Sequence, residues 1–169
     1  KEFDISEQNQ FYSAENSMLL SKDGSVLYAM PSAVGSIVIP EGVTSIGKWA
    51  FYYCTSLESI VIPEGVTSIG DYAFDHCESL KSIVIPEGVT SIGEGAFSEC
   101  TSLESIVIPE GVTSIGKWAF LHCTRLESIV IPDSVTSIGF SAFGNVRHII
   151  YNGPARPVDN WGAKKWSRE

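Results

Sequence analysis

The chain is 169 residues long with 44% hydrophobic and 18% charged residues, which excludes a disordered or fibrous polymer and allows one full core without a metal or disulfide. Its formal net charge of −9 excludes a nucleic-acid partner, because phosphate binding needs a basic face. No run of about 18 apolar residues occurs, so no membrane insertion is expected.

Residues 1–35 lack the period found later and are expected to form an irregular N-terminal coil that caps the repeats. Lys22-Asp23-Gly24 stands between two apolar runs, Met18-Leu20 and Val26-Tyr28, and reads as a hairpin turn. The opening Lys1-Glu2-Phe3 does not read as a signal peptide, so the expectation is either a cytosolic protein or a leader outside these residues.

From Ser36 the chain repeats itself. Ser36 to Glu58 reads SIVIPEGVTSIGKWAFYYCTSLE, and Ser59 to Lys81 reads SIVIPEGVTSIGDYAFDHCESLK. Two more copies begin at Ser82 and Ser105, and Ser128 opens an incomplete fifth, so residues 36–143 hold five copies at a period of 23 without an insertion. A fixed period means that each copy occupies the same place in a stack. Within the second copy, Ile60-Val61-Ile62 is a β-branched run stopped by Pro63, which cannot donate to a ladder. Glu64-Gly65 turns the chain, and Val66 to Ile69 is a second extended piece ending at Gly70. Ala73, Phe74, Cys77 and Leu80 then take the inner-face spacing of a short helical turn. The expected fold is a repeat solenoid, mainly β with short helices, its parallel strands stacking about 4.8 Å apart. Ile60, Ile62, Val66, Ile69, Phe74, Cys77 and Leu80 should point inward. Residues 144–169 should supply a closing strand and a C-terminal cap, giving one continuous domain. This tail carries five Lys or Arg against two Asp or Glu from Arg147 onward, which makes it +3 and leaves −12 on the rest.

The pattern LxxIxIPxxVxxIGxxAFxxCxxL, read from Leu57 to Leu80, resembles the BspA-like (Treponema-type) bacterial leucine-rich repeats, with the IP, IG, AF and C elements recurring in register from Ser36 to Phe143. The stretch from Phe3 to Met30 is similar to the longer irregular coil of that family, and Ile150 through Ala163 is similar to its closing coil. Trp161 and Trp166 would then lie over the last core layer. The resemblance implies a secreted or cell-surface protein with an adhesion-type role.

Candidate chemistry is sparse. Cys54, Cys77, Cys100 and Cys123 share one phase and face the core beside Ala and Phe, so a buried thiol accounts for them better than chained disulfides or a metal. His76 and His122 are expected to face out while the adjacent cysteines face in, and they lie too far apart to share a metal. Glu41, Glu64, Glu87, Glu110 and Asp133 form an acidic column, read as a solvated edge rather than a calcium site. No nucleophile elbow, phosphate loop or dinucleotide fingerprint is present, so neither catalysis nor a cofactor is expected.

The variable positions are the more informative ones. Four per repeat change freely, two after the IG glycine and two between Phe and Cys. Trp49, Tyr52 and Tyr53 should share an outward face, with Tyr72 and His76 stacked beside them. Trp118, Leu121 and His122 would make a second patch, separated by Glu94, Gly95, Ser98 and Glu99. These eight residues are the candidate ligand contacts, since exposed aromatic clusters mark binding surfaces. Packing into grooves between coils is the competing account. The expected function is a non-enzymatic recognition module for an extracellular protein or glycan. The alternative is a spacer that displays the rest of a larger surface protein.

Overall fold

The structure, a computed structural model, describes residues 3–151, 159–163 and 165–167. At the N-terminus β1 (Tyr12–Glu15) and β2 (Met18–Ser21) pair antiparallel around Asn16 and Ser17, both in left-handed backbone. That pair of positive φ values is what a two-residue hairpin requires. β2 then pairs antiparallel with β3 (Val26–Ala29) across Lys22-Asp23-Gly24.

Each later coil supplies two short strands. They are β4 (Gly35–Val38) and β5 (Ser45–Ile46), β6 (Leu57–Val61) and β7 (Ser68–Ile69), then β8 (Ser82–Val84) and β9 (Ser91–Ile92). The series continues with β10 (Ser105–Val107) and β11 (Ser114–Ile115), then β12 (Ser128–Ile131) and β13 (Ser137–Ile138). The second strands extend the N-terminal hairpins into one eight-stranded sheet, β1-β2-β3-β5-β7-β9-β11-β13, while β4-β6-β8-β10 form a separate parallel sheet. β14 (His148–Tyr151) and β15 (Lys165–Ser167) close the stack beside β12. Between the repeats pairing is in phase, Ile60 on Ile83 and Ile83 on Ile106, so identical residues form columns.

The segment after the IG glycine is not a regular helix. Among the described residues only Asp159–Trp161 has helical character, as a single 3-10 turn. The inner-face spacing is met instead by overlapping four-residue turns. Ala73, Cys77 and Leu80 donate their N–H to the carbonyls of Gly70, Phe74 and Cys77 in the same coil. The alternate residues Tyr72, Phe74 and His76 donate to Glu94, Ala96 and Ser98 of the next. A helix would spend those donors internally, whereas the stack uses them to tie coils together. The geometry puts two columns in left-handed backbone: Trp49, Tyr72, Gly95, Trp118, Ser141 and Tyr53, His76, Glu99, His122, Asn145, with φ from 50° to 76°.

The core is built from columns. Phe51, Phe74, Phe97, Phe120 and Phe143 are buried and stack with centroids 5.0, 5.3, 5.4 and 5.6 Å apart, their planes within 8°. All four cysteines are buried and free. Cys77, Cys100 and Cys123 donate their thiols to the carbonyls of Phe51, Phe74 and Phe97 in the preceding coil, at 3.1–3.2 Å. Burial raises the pKa of all four thiols, so the nucleophilic thiolate is suppressed. Native protein at pH 8 is therefore expected to react with a thiol reagent orders of magnitude more slowly than the unfolded chain, and only by opening. Fast reaction of all four would show that this column is accessible.

The IG glycines have a role beyond turning the chain. A Cβ on Gly93 would lie 2.5 Å from the Gly70 carbonyl carbon, and one on Gly70 would lie 2.8 Å from that of Gly47. Backbone rests on backbone there, and a side chain has no place to go. The C-terminal end is closed by Trp161, buried and edge-on to Tyr151 at 5.5 Å, while Tyr151 donates its hydroxyl to the Val135 carbonyl at 2.7 Å. Asn152 and Gly153 of the expected closing coil, and the Trp166 side chain, lie outside the described residues.

Candidate functional site

Because coils stack in phase, every variable position becomes a column on one outer face. At the N-terminal end of that face Trp49, Tyr52 and Tyr53 are 54%, 45% and 52% exposed. Tyr53 stacks on His76 of the next coil at 4.2 Å and meets Tyr52 edge-on at 4.7 Å. Lys48, not singled out from the sequence, places its ammonium 4.4 Å over the Trp49 ring and 3.6 Å from the Asp71 carboxylate. The result is an exposed aromatic cluster of Tyr52, Tyr53 and His76, with Trp49 beside it under the Lys48 cation.

Tyr72 does something different. Its ring covers Gly95, where any Cβ would strike it, and its hydroxyl donates to Glu94 at 2.5 Å. That bond, with partial burial and nearby carboxylates, pushes the phenol up to about 12. Tyr72 thus fills the gap that Gly95 leaves, as the packing account expects of a groove-filling ring. Leu121 fills the equivalent gap over Gly144. His122 is half-buried and paired with Glu99, and Trp118 is half-buried. Coil three carries Gly95, Ser98 and Glu99 where coil one carries Trp49, Tyr52 and Tyr53, and the two patches are separate.

One polar group in this face is ill at ease. Asp75 is 8% exposed, and its Oδ1 has no hydrogen-bond partner. Burial raises its pKa; the Ser98 hydroxyl, the His76 charge and the His76 backbone pull it down, and Glu99 adds to the rise. Ser98 occupies the same column at the same burial, so the site accepts serine. Asp75→Ser is expected to stabilise the fold by about 1 kcal/mol at pH 7. Because the folded pKa lies above the unfolded one, Asp75 stabilises the fold fully below about pH 4 and less as pH rises through the folded value. The advantage of the variant should therefore grow from acid to neutral pH in urea melts. A constant difference across that range would mean that Asp75 is not the titrating group.

The strand face is more uniform. Val38, Val61, Val84, Val107 and Val130 form an exposed stripe, 53–73% accessible, flanked by serine columns. On the turn face, at the N-terminal end, a cleft of about 450 Å³ opens between Ala29 and Pro31 of the cap and Trp49, Ala50 and Tyr52 of the first coil. The cleft was not visible in the sequence, since it depends on where the cap runs. Among the described residues no helix is long and apolar enough to cross a membrane.

Comparison with known proteins agrees with this architecture. A family model described as a BspA type leucine rich repeat region matches residues 25–150 in six copies, one more than the five read from the sequence over residues 36–143. The solved leucine-rich repeat protein of T. pallidum is similar at 30% identity and a TM-score of 0.71, over 89% of this chain and 71% of that one. A leucine rich cell surface protein from Faecalibacterium prausnitzii is similar at 26% identity and a TM-score of 0.57, over 92% of this chain and 58% of that one. A leucine-rich repeat protein from Eubacterium ventriosum shares the fold at 24% identity and a TM-score of 0.65, and this chain spans 54% of its length. No curated protein matches the chain. With the period, the columns and the family model in agreement, the chain belongs to the BspA-type leucine-rich-repeat family.

Proposed function

We propose that this protein is a non-enzymatic recognition module that acts at or outside the cell surface and binds an extracellular protein or glycan through its turn face. The observation that carries the reading is the cluster of Trp49, Tyr52 and Tyr53, each about half exposed on one coil, while Phe51, Phe74, Phe97, Phe120 and Phe143 are buried in a column. Rings that merely filled grooves would be covered, as Tyr72 is. Trp and Tyr add contact area at little entropic cost and dominate measured binding hot spots. The left-handed backbone of Trp49 and Tyr53 does not set them apart, since Glu99 and Asn145 share it without carrying a ring. The surface location rests on the family and on a similar protein described as a cell surface protein.

The test is a binding screen against matrix proteins, mucins and a glycan panel, with the parent beside a Trp49→Ala/Tyr52→Ala/Tyr53→Ala variant. The variant should fold and lose at least about 10-fold in affinity. Equal binding by both would move the site to the valine-striped strand face. Binding by neither would favour a spacer that displays other parts of a larger surface protein.

A further inference from the structure

The turn segments carry their charge unevenly. Residues 71–80 and 94–103, in coils two and three, hold five carboxylates and no Lys or Arg. Residues 48–57 and 117–126, on either side, hold three Lys or Arg and no carboxylate. In-phase stacking turns this into an acidic band across the turn face, bordered on its N-terminal side by Tyr52 and Tyr53. Little within the chain compensates the band. Asp71 takes the Lys48 ammonium at 3.6 Å, whereas Glu94 accepts from the Tyr72 phenol, and Glu78 and Glu99 face the rings of His76 and His122.

Asp75 lies where the band meets the rings. Its carbonyl accepts the Tyr53 N–H at 2.9 Å, and it follows Tyr52 in the same column. Its side chain is 8% exposed with Oδ1 unpartnered. The carboxylate turns into the band, since its charge is felt at the Tyr72 phenol and that of Glu99 is felt at Asp75. Water screens a buried charge less than an exposed one, so Asp75 holds a negative potential beneath this surface. Ser98 fills the same place in coil three without that charge.

The chain already shows what such a surface takes. The Lys48 ammonium sits 4.4 Å from the Trp49 ring centre and 5.9 Å from that of Tyr72, and its carboxylate partner is Asp71. That is a cation held between rings and an acid. Tyr52 and Tyr53, 4.7 Å apart with their planes at 74°, offer a corner of two half-exposed rings beside Asp75 and Glu78. Among the described residues no Lys or Arg lies over either of them.

We propose that Tyr52, Tyr53 and the acidic band form a docking surface for a basic, extended protein segment. One cationic side chain lies in the corner of the two rings, and the next ones along the segment meet Glu78, Glu94 and Glu99. The proposal rests on the recognition reading above and narrows its ligand to basic protein. Successive coils stand about 5 Å apart, so a small cation meets one or two carboxylates, whereas an extended chain with recurrent Lys or Arg meets the series. An uncharged glycan would leave the band uncompensated.

The experiment titrates the folded chain into a fluorescent peptide of alternating lysine and glycine and follows anisotropy, beside the same peptide with every lysine acetylated. The acetylated peptide should bind at least about 10-fold more weakly. Tyr52→Ala/Tyr53→Ala and Glu78→Gln/Glu99→Gln should each weaken the lysine peptide at least about 10-fold, and Asp75→Ser about 3-fold even as it stabilises the fold. The control is Glu64→Gln/Glu87→Gln, which removes the same charge from the column after the prolines and should stay within about two-fold. The docking surface is overturned if the lysine peptide does not bind, if acetylation makes no difference, or if the double tyrosine variant binds like the parent. It is also overturned if the control pair loses as much as Glu78→Gln/Glu99→Gln, since net charge alone would then be the attraction. If the triple aromatic variant loses a ligand found in the screen above that Glu78→Gln/Glu99→Gln still binds, the recognition reading stands without the basic segment. If the triple variant binds that ligand like the parent, the recognition reading itself falls.

Discussion

A chain carrying Gly93→Val is expected to lose at least about 3 kcal/mol of stability, because the new side chain must occupy space held by the backbone of the preceding coil. The Cβ alone would come within 2.5 Å of Gly70 C and 2.6 Å of Asp71 N, and neither atom can swing aside as a side-chain end would. Relief requires moving two coils apart, which costs the Gly93 N–H bond to Ile69 and the β7–β9 pairing. The control is Gly65→Ala. Its nearest contact would be an ordinary 3.6 Å to the Val43 carbonyl, so that variant should be neutral or gain up to about 1 kcal/mol by stiffening the unfolded chain. Urea denaturation of both, read by circular dichroism, measures the contrast. Equal stabilities would show that the coils are not in backbone contact at this column.

The second large effect is expected from Phe97→Ala, at about 3 to 5 kcal/mol. Phe97 is fully buried in the middle of the ring column, with Phe74 on one side at 5.3 Å and Phe120 on the other at 5.4 Å. The flanking rings are themselves stacked and held by backbone ladders, so the space cannot collapse. In a stack where each unit touches only its neighbours, weakening one central interface also weakens cooperativity. The denaturation curve should therefore broaden as well as shift, with coils on the two sides of Phe97 melting at different urea concentrations. A sharp transition displaced by less than about 1 kcal/mol would mean that the ring column does not couple the coils.

The strands, the columns and the inward set from Ile60 to Leu80 are legible in the sequence because each obeys a short-range rule. β-branched residues before a proline read as a strand, and strict periodicity puts like on like. The turn segment reads as a short helical turn, and the structure meets that spacing with overlapping four-residue turns, which Ala73, Phe74, Cys77 and Leu80 satisfy equally well. What decides between the two is where Tyr72, Phe74 and His76 send their N–H groups, and that partner lies 22 residues further along the chain. Trp and Tyr are poor residues for left-handed backbone, so at Trp49, Tyr53, Tyr72 and Trp118 local propensity points away from the observed φ values, and the inter-coil ladder overrides it. The IG glycines read as turn residues, because nothing local distinguishes a glycine that bends from one that is pressed on by a neighbour.

The candidate site is half legible. The aromatic positions stand out as those where copies differ, but one copy read by itself does not separate Tyr72 from Trp49. The distinction turns on what the next coil offers at the same column, glycine for Tyr72 and tyrosine for Trp49. Comparing each large residue with the one 23 positions later finds it. The cleft under Trp49 depends on where the cap runs, and no rule applied to the first copy alone reveals that.

The direction of the bonds between coils sets how the molecule responds to tension. Each coil is joined to its neighbours by strand pairs and turn ladders that lie along the solenoid axis, and contacts between non-adjacent coils carry little of the load. Pulled by its two ends, the stack is loaded as a zipper and not in shear, so the outermost coil yields first while the rest stay closed. Each release frees 23 residues, up to roughly 80 Å of contour, in exchange for about 5 Å of folded length. Stretching the chain by its two ends should therefore give evenly spaced steps, one for each coil released.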